Sequence, residues 1–145
     1  MKTKVFLDTN ILLDLLVAGR DSEASLKIFR AVRNHEIEAQ VTTQSLMDAA
    51  YCANRCGVTF DSFKSLIQDL IRYVNIDHIN FFHILWAMDN HSGDFEDDAQ
   101  VSCAIDGACD FFVTHDKEQL GRTLPEPMVF ISPEDFAAGT TGSGQ

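Results

Sequence analysis

The chain has 145 residues, 46% of them hydrophobic, which is enough for one sizeable core and short for two domains. Its 22 acids against 11 lysines and arginines leave a formal charge of −11, which argues against a surface that attracts nucleic acid everywhere and still allows a local basic strip. So acidic a chain can also hold a carboxylate cluster that needs a cation, because like charges held close together are relieved by protonation or by metal.

The first apolar run, 4–7, reads as a strand that ends in Asp8, Thr9 and Asn10. In an open α/β sheet the ligand crevice lies at the carboxyl ends of the strands, so these three polar residues belong there. They also suit the start of the helix predicted from "ILLDLLV", with Thr9 as its cap. Residues 22–35 have helical spacing, with Ala24, Ile28, Ala31 and Val32 on one face and Lys27, Arg30 and Arg33 on another. The basic residues suit RNA phosphates or simply a solvated face.

A second strand is expected at 38–42, followed by helices over 43–55 and 60–73 that break at Gly57. Asp48 falls inside the first of these helices among Leu46, Met47, Ala49 and Ala50. Asp is a poor residue for a helix interior, so it is either a partner of Arg55 or a part of the crevice. Further strands are expected at 72–76, 110–114 and 128–131. "INFFHILWAMD" is apolar nearly all round, which fits a deep core helix or a surface covered by a partner, and it predicts a homodimer.

"GDFEDDAQ", 93–100, places four acids at the opening of a helix that ends at Gly107. Capping and the helix dipole account for one or two of them, and Asp94 with Asp97 has capping-box spacing. Four together repel, which a cation or solvent must offset. "CDFFVTHDKE" then repeats the opening motif, with a strand followed by Thr114 and Asp116. Neighbouring strands lie about 5 Å apart, so Asp8 and Asp116 could share one divalent ion, and a right-handed crossover brings Asp97 over the same edge. His115 is expected to point away from the crevice. Pro125 and Pro127 bracket a turn, "SPEDF" is expected to form one helical turn, and 139–145 reads as a flexible tail after a single domain over 1–138.

No apolar run reaches transmembrane length, and Asp8 and Asp14 interrupt the region a signal peptide would need. Cys52, Cys56, Cys103 and Cys109 have neither zinc-site spacing nor the density of a disulfide scaffold. These features lead to an expectation of a cytoplasmic protein with reduced thiols and no membrane partner.

"FLDTN", an acid in the helix after the second strand, "DFEDD-Q" and "D-FVT-D" occur in an order that resembles the PIN-domain ribonucleases, especially VapC-type toxins of toxin–antitoxin systems. The resemblance extends over essentially the whole chain, through "ISPEDF". It implies an α/β fold with a mostly parallel central sheet of about five strands flanked by helices. It also implies an endoribonuclease that uses Mg²⁺ or Mn²⁺, cuts single-stranded or looped RNA to leave 5′-phosphate and 3′-hydroxyl ends, and is held in check by an antitoxin protein. On this resemblance Asp8, Asp97 and Asp116 match the metal-binding aspartates, and Asn10 and Thr114 match supporting polar residues, with Asp94 beside them. Asp48 matches a fourth catalytic acid that is usually Glu. A PIN-fold module that binds RNA or protein without cleaving is the alternative. A haloacid-dehalogenase-like phosphatase lacks support, because position 10 is Asn and no Gly-rich phosphate loop is present.

Overall fold

Side chains that alternate between two hydrophobic clusters give the first strand two covered faces. In β1 (Lys4–Leu7), Val5 and Leu7 enter one hydrophobic cluster and Phe6 enters another, as a period of two requires. In this computed structural model residues 1–17, 20, 23–125 and 127–143 are described. The remaining strands are β2 (Glu38–Thr42), β3 (Asn75–Asp77), β4 (Phe111–Val113) and β5 (Val129–Ile131). The described helices are α1 (Thr9–Leu16), α2 (Glu23–Arg33), α3 (Thr43–Arg55), α4 (Phe60–Leu70), α5 (Phe81–Asp89), α6 (Phe95–Asp106), α7 (Lys117–Leu120) and α8 (Pro133–Ser143).

The sheet has the order β3-β2-β1-β4-β5 with every pairing parallel, so this is a single α/β domain. From β1 the chain winds outward through β2 to β3 and then returns to place β4 on the other side of β1. The direction of winding therefore reverses between β1 and β4, and a crevice opens there at the strands' carboxyl ends. Leu7 stands opposite Val113, and the Asp8 amide donates to the Val113 carbonyl at 3.1 Å, so the polar residues after both strands start level.

Both faces of the sheet are covered. On one face Val5, Leu7, Val41 and Val113 pack with Ile11, Leu12, Ile28 and Val32 from α1 and α2. On the other, Phe6 stacks on Phe112 at 4.9 Å, Phe112 meets Phe130 at 5.3 Å, and Val101 and Ala104 of α6 cover them. Each such Val, Leu, Ile or Phe side chain contributes about 1.5–3 kcal/mol when fully buried. Gly107 closes α6 against β2, where an added Cβ would lie 2.0 Å from Gln40 Oε1, and Gly57 ends α3 with φ +83°.

Several boundaries differ from those expected. The third strand begins at Asn75, because residues 71–73 form turns after α4, which ends at Leu70, and Val74 is buried against the core. Thr9 is the first residue of α1, and Asp8 is its cap, its carboxylate accepting from the Thr9 amide at 2.8 Å. "SPEDF" opens an 11-residue helix that continues to Ser143 and packs against α2, with Phe136 against Phe111 at 5.4 Å. Residue 126 of the Pro125–Pro127 turn, residue 22 ahead of α2, and residues 144–145 of the tail lie outside the described residues. α5 does not lie deep in the core. It buries His83 and Ala87 and leaves Phe81, Phe82 and Met88 exposed. Among the described residues no helix is long and apolar enough to cross a membrane.

Candidate functional site

Asp8 sits at the mouth of the β1–β4 crevice with 8% of its surface exposed. The Thr114 hydroxyl donates to its Oδ2 at 2.7 Å and the Thr9 amide to its Oδ1 at 2.8 Å, while Asn10 Nδ2 approaches Oδ2 at 3.4 Å. Asn10 also reaches across to β4, donating to Thr114 Oγ1 at 3.3 Å and accepting from the His115 amide at 3.2 Å. Thr114 is fully buried, and its hydroxyl oxygen accepts from the Asp116 amide at 3.0 Å. Asp8, Asn10, Thr114 and Asp116 thus form one network that joins the ends of two neighbouring strands.

Asp116 caps α7, accepting from the Glu118 amide at 2.9 Å. Asp94 caps α6, accepting from the Asp97 amide at 3.0 Å. Asp94, Asp97, Asp116 and Glu118 line a pocket of about 240 Å³ together with Ser92, Gln119 and Arg122. Burial and the charges of Asp8, Asp94 and Asp116 push the Asp97 pKa from 3.8 to about 7. Burial also raises Asp8 above 3.8, against the opposing hydrogen bonds from Thr114 and Thr9, and the charges of Asp116 and Asp94 add to the rise. The carboxylates of three separate segments therefore act on one another.

The four acids that open α6 have four different surroundings. Asp94 caps the helix and Asp97 faces the crevice. Glu96 lies within hydrogen-bonding reach of Asp48, and that contact, with burial and the Asp48 charge, raises its pKa from 4.5 to about 7. Asp48 itself accepts from Gln44 at 3.2 Å, whereas Arg55 donates to Tyr51 at 3.1 Å and stacks over its ring. The alternative pairing of Asp48 with Arg55 is thus not formed.

Asp98 is fully buried. It accepts from the Ser92 hydroxyl at 2.5 Å, the Ser92 amide at 3.0 Å, and Arg122 Nη1 at 2.9 Å, with His91 Nδ1 at 3.1 Å. Burial alone would raise its pKa, but the Ser92 hydrogen bonds and the Arg122 charge outweigh this and hold it below 3.8. The residues 91, 92, 119 and 122 of this neighbourhood carried no signal in the sequence, because their roles depend on contacts between separate segments.

His115 turns its ring to Asp14, with Nε2 2.6 Å from Oδ2, and Ser25 donates to the same oxygen at 2.6 Å. Half-exposed Arg20 completes the set of partners around buried Asp14 at 3.0 Å, so Asp14 has a structural role and His115 is oriented by it. On α2, Arg33 lies 3.9 Å from Asp69 and over the Tyr73 ring, and Lys27 and Arg30 remain exposed. Cys103 and Cys109 are buried free thiols, each pushed up to about 12 chiefly by burial.

The donors at the crevice are all oxygens, which suits a hard divalent cation. Among the described residues no three metal-ligating side chains already stand as a cage. Mg²⁺ does not require one, since it keeps several waters and often uses only one or two carboxylates. Burial first, and then mutual repulsion, raise Asp97 and Asp8, and a cation would offset both by favouring the charged carboxylates, so the residues present fit the group.

A PIN-domain family model matches residues 4–118. The chain is similar in structure to VapC20 of Mycobacterium tuberculosis, described as a toxin that cleaves the sarcin-ricin loop, at 15% identity and a TM-score of 0.63, covering 78% of this chain and 90% of that one. It is similar to a toxin–antitoxin complex from Klebsiella pneumoniae at 17% identity and 0.63, covering 89% and 97%. It is also similar to VapBC2 of Rickettsia felis, solved with a DNA fragment from its promoter, at 14% identity and 0.65, covering 90% and 98%. A comparison with curated protein sequences finds no match.

Proposed function

The chain belongs to the PIN-domain family, and from that premise we propose that it is a divalent-metal-dependent endoribonuclease acting as the toxin of a toxin–antitoxin pair. The observation that carries this reading is the convergence of Asp8, Asp97 and Asp116 at the β1–β4 edge, with the pKa of Asp97 raised to about 7 by burial and by its acidic neighbours. Asp8, Asp97 and Asp116 would hold Mg²⁺ or Mn²⁺. When bound, the cation supplies Lewis acidity that lowers the pKa of a water and offsets charge on a cleaving phosphodiester.

The protein's own part is to fix the carboxylates. Thr114 and the Thr9 amide hold both oxygens of Asp8, and Asn10 ties that strand end to the next. Asp94 anchors the first turn of α6, so that Asp97 is presented from a rigid helix. Incubation of the purified protein with mixed single-stranded and looped RNA, with Mn²⁺ or with EDTA, tests the reading. Metal-dependent cleavage that disappears in Asp116→Ala is expected, and RNA left intact under all conditions would overturn it.

An antitoxin partner is supported by similarity to toxin–antitoxin complexes. A groove of about 180 Å³ lined by Leu15, Leu26, Phe29, Leu66 and Tyr73 offers an apolar peptide a seat. The exposed Phe81, Phe82 and Met88 of α5 support a homodimer, which sedimentation at micromolar concentration would test.

One observation favours a second reading. Asp48 is hydrogen-bonded by Gln44 and couples to Glu96, and it is one methylene shorter than the Glu usual at its position. An RNA- or protein-binding module that does not cleave would tolerate that shortening.

A further inference from the structure

The acidic pocket also contains a cation. Arg122 lines it, with 12% of its side chain exposed, and is fixed by Asp98 at 2.9 Å, the Asn90 carbonyl at 3.2 Å and Gln119 Oε1 at 3.4 Å. Its guanidinium lies 5.8 Å from the Trp86 ring centroid and 6.0 Å from that of Phe130. A guanidinium has five N–H donors. Those three bonds leave the Nε–H and one Nη2–H without a partner among the described residues.

Gln119 lines the same pocket with 4% of its surface exposed. Its oxygen accepts from Arg122, which fixes the amide orientation, because the opposite flip would set two donors against each other. Its buried Nε2 then has no hydrogen-bond partner among the described residues. Such an atom costs stability until something accepts from it. Ser92 gives both its hydroxyl and its amide to Asp98, so Arg122 and Gln119 are the side chains here with donors to spare.

We propose that Arg122 and Gln119 are substrate-positioning residues that donate hydrogen bonds to a phosphate oxygen of the RNA strand entering this pocket. The inference rests on the nuclease reading above and assigns that site its phosphate contact. A polyanion approaching Asp94, Asp97 and Asp116 is repelled, and a chain of charge −11 supplies little general attraction to offset this. A guanidinium offers phosphate a planar fork of donors. Asp98 and the two aromatic rings hold that fork in place before substrate arrives, so little side-chain entropy is lost on binding. A purely structural Arg122–Asp98 pair would account for the ion pair but not for a buried amide nitrogen without a partner beside it.

The test uses the full chain with Gln119→Met, which removes the amide at similar volume, and Arg122→Lys, which keeps a positive charge facing Asp98 and loses the fork. The dissociation constant for short labelled single-stranded RNAs of several sequences is read with Mg²⁺ before turnover and again in EDTA, beside kcat and KM for cleavage. Each substitution is expected to raise the dissociation constant and KM about tenfold, equally for all sequences, with kcat within about twofold. Wild-type affinity in Gln119→Met overturns the proposal, as does a loss confined to one RNA sequence, which would mean a base contact. If Arg122→Lys fails to fold, Gln119→Met is read beside Gln119→Glu, which keeps an oxygen to accept from Arg122 and loses the nitrogen donor, so weaker RNA binding in both is expected and wild-type affinity in both overturns the proposal. A wild type that binds RNA but cleaves none overturns the nuclease reading, and the affinities still decide the phosphate contact. A wild type that binds no RNA overturns both.

Discussion

Asp97 and Asp98 are adjacent in sequence and begin the same helix, yet they belong to opposite kinds of site. Asp98 is fully buried and surrounded by donors from Ser92 and Arg122, which hold its pKa below 3.8. Asp97 is half-buried beside Asp8, Asp94 and Asp116, and its pKa is pushed to about 7. One carboxylate has been given partners by the fold and the other has been left among like charges. A protein that needed both only for stability would supply donors to both, so the unpartnered group marks where a ligand is expected.

The strongest way to break this contrast is to remove charges from the mutually repelling acids at the crevice. Asp8→Asn and Asp97→Asn are expected to lower metal-dependent RNA cleavage at least about 100-fold, beyond what groups that only support a ligand cost. Their melting temperatures should stay equal or rise, because one charge leaves a repelling group. Wild-type turnover in both variants would mean that the crevice is not the reaction centre.

The partnered acid should behave in the opposite way. Asp98→Ala leaves Arg122 without its counter-charge in a largely buried position, and urea denaturation should record a loss of about 3–5 kcal/mol. A loss below about 1 kcal/mol would show that the pair behaves like an exposed one.

Metal sharpens the contrast from the other side. Mg²⁺ or Mn²⁺ at 100 times its dissociation constant should stabilise the wild type by about 2.7 kcal/mol, growing with concentration, and should do so far less in Asp8→Asn or Asp97→Asn. Equal responses in all three proteins would remove the site.

A smaller effect is expected with pH. In EDTA the folded protein holds protons on Asp97 and Glu96 up to about pH 7, whereas the unfolded chain releases them near the ordinary values of 3.8 and 4.5. The folded state binds more protons in that window, so stability should fall as pH rises from about 4 to about 7. Asp98 acts with the opposite sign. Its lowered pKa contributes stability above 3.8 that is lost as the pH falls below it. Thermal melts across this range should show a negative slope that flattens in Asp97→Asn, and a positive slope there would overturn the raised values.

The smallest change is expected for the conservative substitution Asp48→Glu. If its carboxylate serves the reaction, Asp48→Glu should keep or raise cleavage within a few-fold, and Asp48→Ala should remove most of it. Cleavage that appears only in Asp48→Glu would identify a degenerate nuclease, and full cleavage in Asp48→Ala would take this acid out of the site.

Much of the framework was legible because it is local. The run at 4–7 is apolar, short and ended by Asp8, the run at 38–42 alternates Ala39 and Val41 with polar residues, and both form strands at those positions. Gly57 and Gly107 end helices where their backbones allow it. The terminal helix extends beyond the single turn expected, because packing of α8 on α2 outweighs the poor helical propensity of residues 139–143. The apolar pattern places Tyr73 and Val74 in a strand, whereas residues 71–73 form turns and Val74 packs into the core just ahead of β3.

The sequence by itself determined that strands and helices alternate and that Asp8 and Asp116 follow two apolar strands, because those features depend on neighbouring residues and on periodicity. Only the tertiary structure decided that β1 and β4 are adjacent, which brings Asn10 and Thr114 into contact across 104 positions. It also decided the fate of each acid in "FEDD". Glu96 met Asp48, Asp97 met Asp8, and Asp98 met Arg122, 24 positions away. The physical reason is that a carboxylate's charge state is set by desolvation and by the charges and donors around it, and here those groups come from segments distant in the chain.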